Sequence, residues 1–235
     1  MDLLERLAEE PSRAGLFLDV DGVLAPIVGR PEDARVPAAT QEELRRLNAR
    51  YALVACISGR DGANARAIVG VPELVYVGNH GLELAPEASA WAARLRAFLD
   101  TVTWPWLEDK TLTAALHYRN APDETAARAT LEGIAAAARE AGFVARFGRK
   151  VLEVLPPLAA DKGTAVRHLL EAHELPRALY AGDDVTDLDA FNALRGLEVG
   201  VRVAVVSDEG PRQLRERADV VVRDPEEFLS LLQRL

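Results

Sequence analysis

The chain has 235 residues, 49% of them hydrophobic and 28% charged, a balance that belongs to ordinary globular proteins and not to disordered, collagenous or membrane classes. That length allows a well-buried core, and two unequal parts, a core carrying a smaller insertion, are expected. The formal net charge of -9 argues against a nonspecific nucleic-acid binder, whose affinity comes from Lys and Arg neutralising phosphates, and it obliges any anion site to supply its own local positive charge.

In chain order, Met1 to Glu10 is acidic and amphipathic, with neither a basic leader nor an apolar run long enough to span a bilayer. A cytoplasmic protein without membrane association is therefore expected. Gly15 to Leu18 is a short apolar run that ends in Asp19-Val20-Asp21-Gly22. Tyr51 to Ile57 ends in Ser58-Gly59-Arg60 before a helical pattern toward Val69, and Leu74 to Val77 meets Gly78-Asn79-His80-Gly81. Short apolar runs, each closed by a polar glycine turn and followed by a helical pattern, are the signature of a parallel sheet with crossover helices. The one cysteine, Cys56, sits inside such a run and reads as buried and inert.

From about Leu84 to Pro157 the texture changes to an alternating strand at Thr111 to Tyr118, an alanine-rich helix from Glu124 to Ala141, and strands at Phe143 to Phe147 and Val151 to Leu155. This predicts an inserted α+β module, with Pro156-Pro157 at its exit. Its alanine run, Ala135 to Ala138, reads as good helix former on a surface face. Beyond it, Asp161-Lys162-Gly163 opens a helix and Ala178 to Ala181 reaches Gly182-Asp183-Asp184 ahead of a helix over Leu188 to Leu194. Strands at Val199 to Val205 and Val220 to Val222 and a helix entered through Pro225 close the chain. The fold class is a doubly wound, Rossmann-like α/β core over 1–83 and 158–235, with an α+β cap over 84–157.

In open parallel sheets ligands bind beyond the carboxyl ends of the strands, and here those ends carry Asp19, Asp21, Ser58, Asp183, Asp184 and Asp187, with Lys162 at a helix start nearby. Carboxylates crowded together raise one another's pKa unless a cation or proton intervenes, and oxygen donors without His or Cys select a hard ion such as Mg2+. Lys162 in a first helical turn opposes the helix dipole, which an incoming phosphate would justify, with help from the free N–H groups there. An aspartate nucleophile paired with an acid for the leaving oxygen is a route for phosphoryl transfer. Asp19 and Asp21 fit these jobs, two residues apart on an extended segment with Gly22 permitting a sharp turn. Ser58 would donate to a phosphate oxygen. Blander readings stand beside these. Ser58 could cap the helix after Arg60, Asp161 reads as a cap, and Asp184 and Asp187 could cap the helix toward Leu194. His80 could be a turn residue, His117 a half-buried strand histidine, and Trp91, Trp104 and Trp106 packing groups more readily than a sugar platform.

Asp19-Val20-Asp21-Gly22-Val23, Ser58, Lys162 and Gly182-Asp183-Asp184-Val185-Thr186-Asp187 resemble, in order, the four motifs of the haloacid dehalogenase superfamily of phosphatases. Within it, Gly78 through Glu83, Glu108-Asp109-Lys110, His117-Tyr118-Arg119 and Lys150 through Glu153 are similar to segments of the trehalose-6-phosphate phosphatases. The resemblance implies Asp19 as nucleophile and Asp21 as general acid/base, Ser58 and Lys162 as phosphate holders, and Mg2+ held by Asp19, Asp183, the carbonyl of Asp21 and Asp187, directly or through water. It implies a sugar site of Asn79, His80, Glu83, Glu108, Lys110, Arg119, Lys150 and Glu153, in a protein acting on a small-molecule sugar phosphate; a monomer is an expectation apart from that resemblance. Val23 departs from the threonine that many members carry. The rivals are a phosphatase of another sugar phosphate, such as sucrose phosphate or a glycosyl-glycerate phosphate, a phosphomutase, and a silent sugar-phosphate sensor.

Overall fold

The computed structural model describes residues 2–148, 150–206 and 210–235. In chain order its elements are α1 (Leu3–Ala8), β1 (Ala14–Leu18), α2 (Ala38–Arg50), β2 (Leu53–Ile57), α3 (Gly62–Val69) and β3 (Val75–Val77). Next come α4 (Ala88–Leu99), β4 (Leu107–Asp109), β5 (Ala114–His117), α5 (Glu124–Glu140), β6 (Val144–Gly148) and β7 (Val151–Leu155). The last are α6 (Lys162–Ala172), β8 (Arg177–Gly182), α7 (Leu188–Ala193), β9 (Val199–Val205), α8 (Arg212–Arg217), β10 (Val220–Val222) and α9 (Pro225–Leu232). They fall into two compact units, Met1–Gly81 with Ala160–Leu235, and Leu82–Ala159.

Among the described residues, the first unit holds six parallel strands in the order β10-β9-β8-β1-β2-β3. Every residue of β1 and β2 is buried, as strands covered on both faces must be, and this is why they read as continuous apolar runs instead of alternating ones. The chain winds one way from β1 through β2 to β3 and the other way through β8, β9 and β10, so the strand order reverses beside β1, where a crevice opens. Register sets what faces it. Leu18 lies opposite both Cys56 and Ala181, so the segments beginning at Asp19, Ser58 and Asp183 leave the sheet at one edge.

The second unit holds an antiparallel sheet, β4-β5-β7-β6. One face packs Leu116, Leu152 and Val154 with Leu95, Leu131 and Phe143. On the other face Glu108, Ala115, Glu153 and Arg146 form one cross-strand row. The alanine run needs a correction: Ala135 and Ala138 are fully buried in this cluster, along the same helix face as Ala127 and Leu131. A 3.6-residue period brings those positions together, and small side chains let α5 lie close on the sheet. Trp91 meets Phe143 edge-on at 5.3 Å, and the Trp104 indole N–H donates to the His117 carbonyl at 2.8 Å, so both rings serve packing within this unit. No helix among the described residues is long and apolar enough to cross a membrane.

Candidate active site

Asp19 follows β1 and is 5% exposed. One carboxylate oxygen, Oδ1, accepts from the Val20 amide at 2.7 Å; the other, Oδ2, accepts from Lys162 Nζ at 2.5 Å. Lys162 is the first residue of α6, whose N-cap Asp161 forms a capping box with Thr164. Its ammonium, 3% exposed, also donates to Asp187 Oδ1 at 2.7 Å. A buried cation at the positive end of a helix is thus already explained by two carboxylates. Burial alone would lower the Lys162 pKa, but Asp19 and Asp187 raise it above the ordinary value, so the ammonium stays charged.

Asp187 is fully buried and saturated. Oδ1 accepts from Lys162 and from the Tyr180 hydroxyl at 2.7 Å, while Oδ2 accepts from the amides of Asp183 and Asp184 at 2.9 Å each. Four donors fill the lone-pair directions of one carboxylate. Asp184 caps the short turn Val185–Asp187 through the Val185 amide. Oxygens of Asp19, Asp183 and Asp187 lie within 4.8 Å of one another. Burial, and then the neighbouring carboxylates, push Asp183 up from 3.8 to about 8. Asp19 rises from 3.8 to about 7, chiefly by burial, with Lys162 opposing and Asp187 adding to the rise. Such crowding among hard oxygen donors fits a divalent cation. Because the hydrogen bonds of Asp187 are complete, Asp19 and Asp183 are the freer donors. Gly22 makes this packing feasible: its φ is +77°, and a Cβ there would stand 2.2 Å from Asp183 Oδ2.

Ser58 is fully buried and its Oγ accepts from the Arg60 amide at 3.1 Å, which leaves its own hydrogen to donate elsewhere. It does not cap α3; Asp61 does, through the Asn64 amide. The Arg60 carbonyl accepts from the Asn79 amide at 2.7 Å and the Ser58 carbonyl from the His80 amide at 2.9 Å, joining the loops after β2 and β3. Asn79 and His80 both have left-handed backbone, φ 51° and 54°, a costly conformation for such residues. The His80 imidazole lies against Gly59, where a Cβ would meet it at 2.6 Å. Asp19, Asp21, His80, Lys162 and Asp183 line a cavity of about 650 Å³.

The remaining sugar-site candidates belong to the second unit. Glu108 accepts from or pairs with His117 Nε2 at 3.1 Å and Lys110 at 3.7 Å, Glu153 pairs with Arg146 at 2.7 Å, and Lys150 with Glu124 at 2.6 Å. Arg119 follows β5 on the surface, and Glu83 lies in the turn Asn79–Leu84. Sequence reasoning missed two groups. The Tyr180 hydroxyl carries no signal inside an apolar run. Arg60, read only as part of a turn, grips Asp21 with two donors, Nε to Oδ2 at 2.7 Å and Nη2 to Oδ1 at 2.8 Å.

A six-stranded parallel core whose central strand ends in the acidic loop and whose neighbour carries the second acidic cluster is of the haloacid dehalogenase-like fold class. A haloacid dehalogenase-like hydrolase of Bacteroides thetaiotaomicron has this fold, with a TM-score of 0.61 at 14% identity over 94% of this chain and 98% of that one. So does a trehalose-6-phosphate phosphatase related protein, at 0.72 and 24% identity over 93% and 95%. Within that class the chain belongs to the trehalose-phosphatase family, whose pattern matches residues 17–224. A trehalose-phosphate phosphatase of Mycobacterium avium is 39% identical over 84% of this chain, which spans 56% of that relative's length.

Proposed function

We propose that this chain hydrolyses trehalose 6-phosphate to trehalose and phosphate, with Mg2+ as cofactor and Asp19 as the transient phosphoryl acceptor. The observation that carries the reading is the Asp19 carboxylate, fixed by the Val20 amide and Lys162 on a cavity it shares with Asp21 and Asp183. Its family membership and its phosphatase relatives support the same chemistry.

In this reading an oxygen of Asp19 attacks phosphorus, and the bond to the sugar oxygen breaks as Asp21 protonates that oxygen. Lys162 and the Ser58 hydroxyl hold phosphate oxygens. Asp21 then takes a proton from water as the water oxygen attacks, freeing Asp19 and phosphate. Asp19, Asp183 and the Asp21 carbonyl, with Asp187 behind them, would hold Mg2+, which would supply charge to offset the phosphoryl anion and the crowded carboxylates. We assign the choice of sugar to Asn79, His80 and the inserted unit's Glu83, Glu108, Lys110, Arg119, Lys150 and Glu153, and take that unit as the cap.

Phosphate release from trehalose 6-phosphate, sucrose 6-phosphate, a glucosylglycerate phosphate and glucose 6-phosphate, with Mg2+ or EDTA, tests this. Trehalose 6-phosphate should lead the panel, and Asp19→Asn should lower turnover by at least about a thousandfold. A flat panel refutes the substrate, and turnover retained by Asp19→Asn refutes the nucleophile.

A further inference from the structure

Arg60 is held at its backbone from both sides. Its amide donates to Ser58 Oγ at 3.1 Å and its carbonyl accepts from the Asn79 amide at 2.7 Å. From that anchor the guanidinium places two parallel donors on Asp21, while Nη1 donates to Asn64 Oδ1 at 3.0 Å. The side chain of Asp21 is 40% exposed against 17% for Arg60, so the less exposed, braced partner orients the more exposed one. A planar fork matched to both oxygens fixes the rotation of a carboxylate as well as its position, which a point charge does not.

We infer that Arg60 is the positioning residue of the proton-transfer step, acting through Asp21 without touching the reacting phosphoryl group. The inference rests on the proposed role of Asp21. As the proton of the Asp21 carboxyl passes to the sugar's bridging oxygen, the bond from that oxygen to phosphorus breaks and the Asp19–phosphorus bond forms. The carboxylate left behind is received by the fork. In the second half it takes a proton from the attacking water, the Asp19–phosphorus bond breaks, and the acid form returns.

Leaving-group dependence separates this from a merely structural role. An aryl leaving group such as 4-nitrophenolate departs without protonation, whereas a sugar alkoxide requires it. Since kcat/KM reports only steps through departure of that group, it isolates the acid step. Arg60→Met should lower kcat/KM for the sugar phosphate about ten- to a hundredfold, while 4-nitrophenyl phosphate, which also verifies a folded site, stays within about threefold. Arg60→Lys, which retains the charge without the fork, should recover only a minor part. Equal losses on both substrates, or full recovery by Arg60→Lys, overturn the inference. Asp21→Asn supplies the reference: if it shows the substrate contrast and Arg60→Met does not, the role of Arg60 falls, and if Asp21→Asn shows no contrast the acid assignment itself falls.

Discussion

Replacing Asp183 by asparagine should stabilise the metal-free protein, although it removes a proposed metal ligand. The shape is nearly unchanged, and the amide that Asp183 donates to Asp187 belongs to the backbone. What disappears is a carboxyl group whose pKa rises from 3.8 to about 8 on folding, first by burial and then through Asp19 and Asp187. A carboxyl group with a raised pKa binds more protons folded than unfolded between those two values. Its cost is therefore absent below the unfolded pKa, grows as pH rises through the window and is complete above about 8. At about 1.4 kcal/mol per unit the part of that cost already present near neutral pH is roughly 4 kcal/mol. Solvent reaching the partly buried side chain screens part of it, which leaves ~2 kcal/mol, or roughly 4–8 °C in melting temperature for a chain of this size.

The assay is thermal denaturation of wild type and Asp183→Asn in EDTA at about pH 5 and about pH 8, then with Mg2+. The advantage of the variant should be larger at the higher pH, while Mg2+ should raise the melting temperature of wild type and leave the variant nearly unmoved. An Asp183→Asn protein less stable than wild type in EDTA at the higher pH would refute the argument from crowding. Equal Mg2+ responses would refute the assignment of the ion to this cluster.

Gly22→Ala should cost both stability and turnover, since a positive φ and a Cβ 2.2 Å from the Asp183 carboxylate force the two acidic loops apart at a price of about 1–3 kcal/mol. Melting curves and kcat/KM check it, and wild-type values in both would contradict the packing. Leu131→Ala empties a fully buried position in the second unit's core and should cost about 2–5 kcal/mol. Hydrogen exchange should accelerate in β5 and β7 while β1 and β8 keep their protection, and a uniform loss would mean that the two units unfold as one.

The places of the proposed catalytic groups were legible in the sequence where the backbone alone determines them. Val199–Val205 and Val151–Leu155 coincide with the expected strands, because an apolar run stops where the sheet stops, and once β1 and β8 are parallel neighbours Asp19 and Asp183 must emerge together. The short β4, with two of its three residues exposed, has no such contrast with its flanks and was not foreseen. Nor was the partner of Asp21, since a flexible arginine reaches far from its own turn and its direction depends on side-chain packing. Asp187 lies between these cases. Its position was readable, but the four donors that occupy it come from an apolar strand, a helix start and its own loop, and only their convergence distinguishes a group that organises the site from one left free to bind an ion.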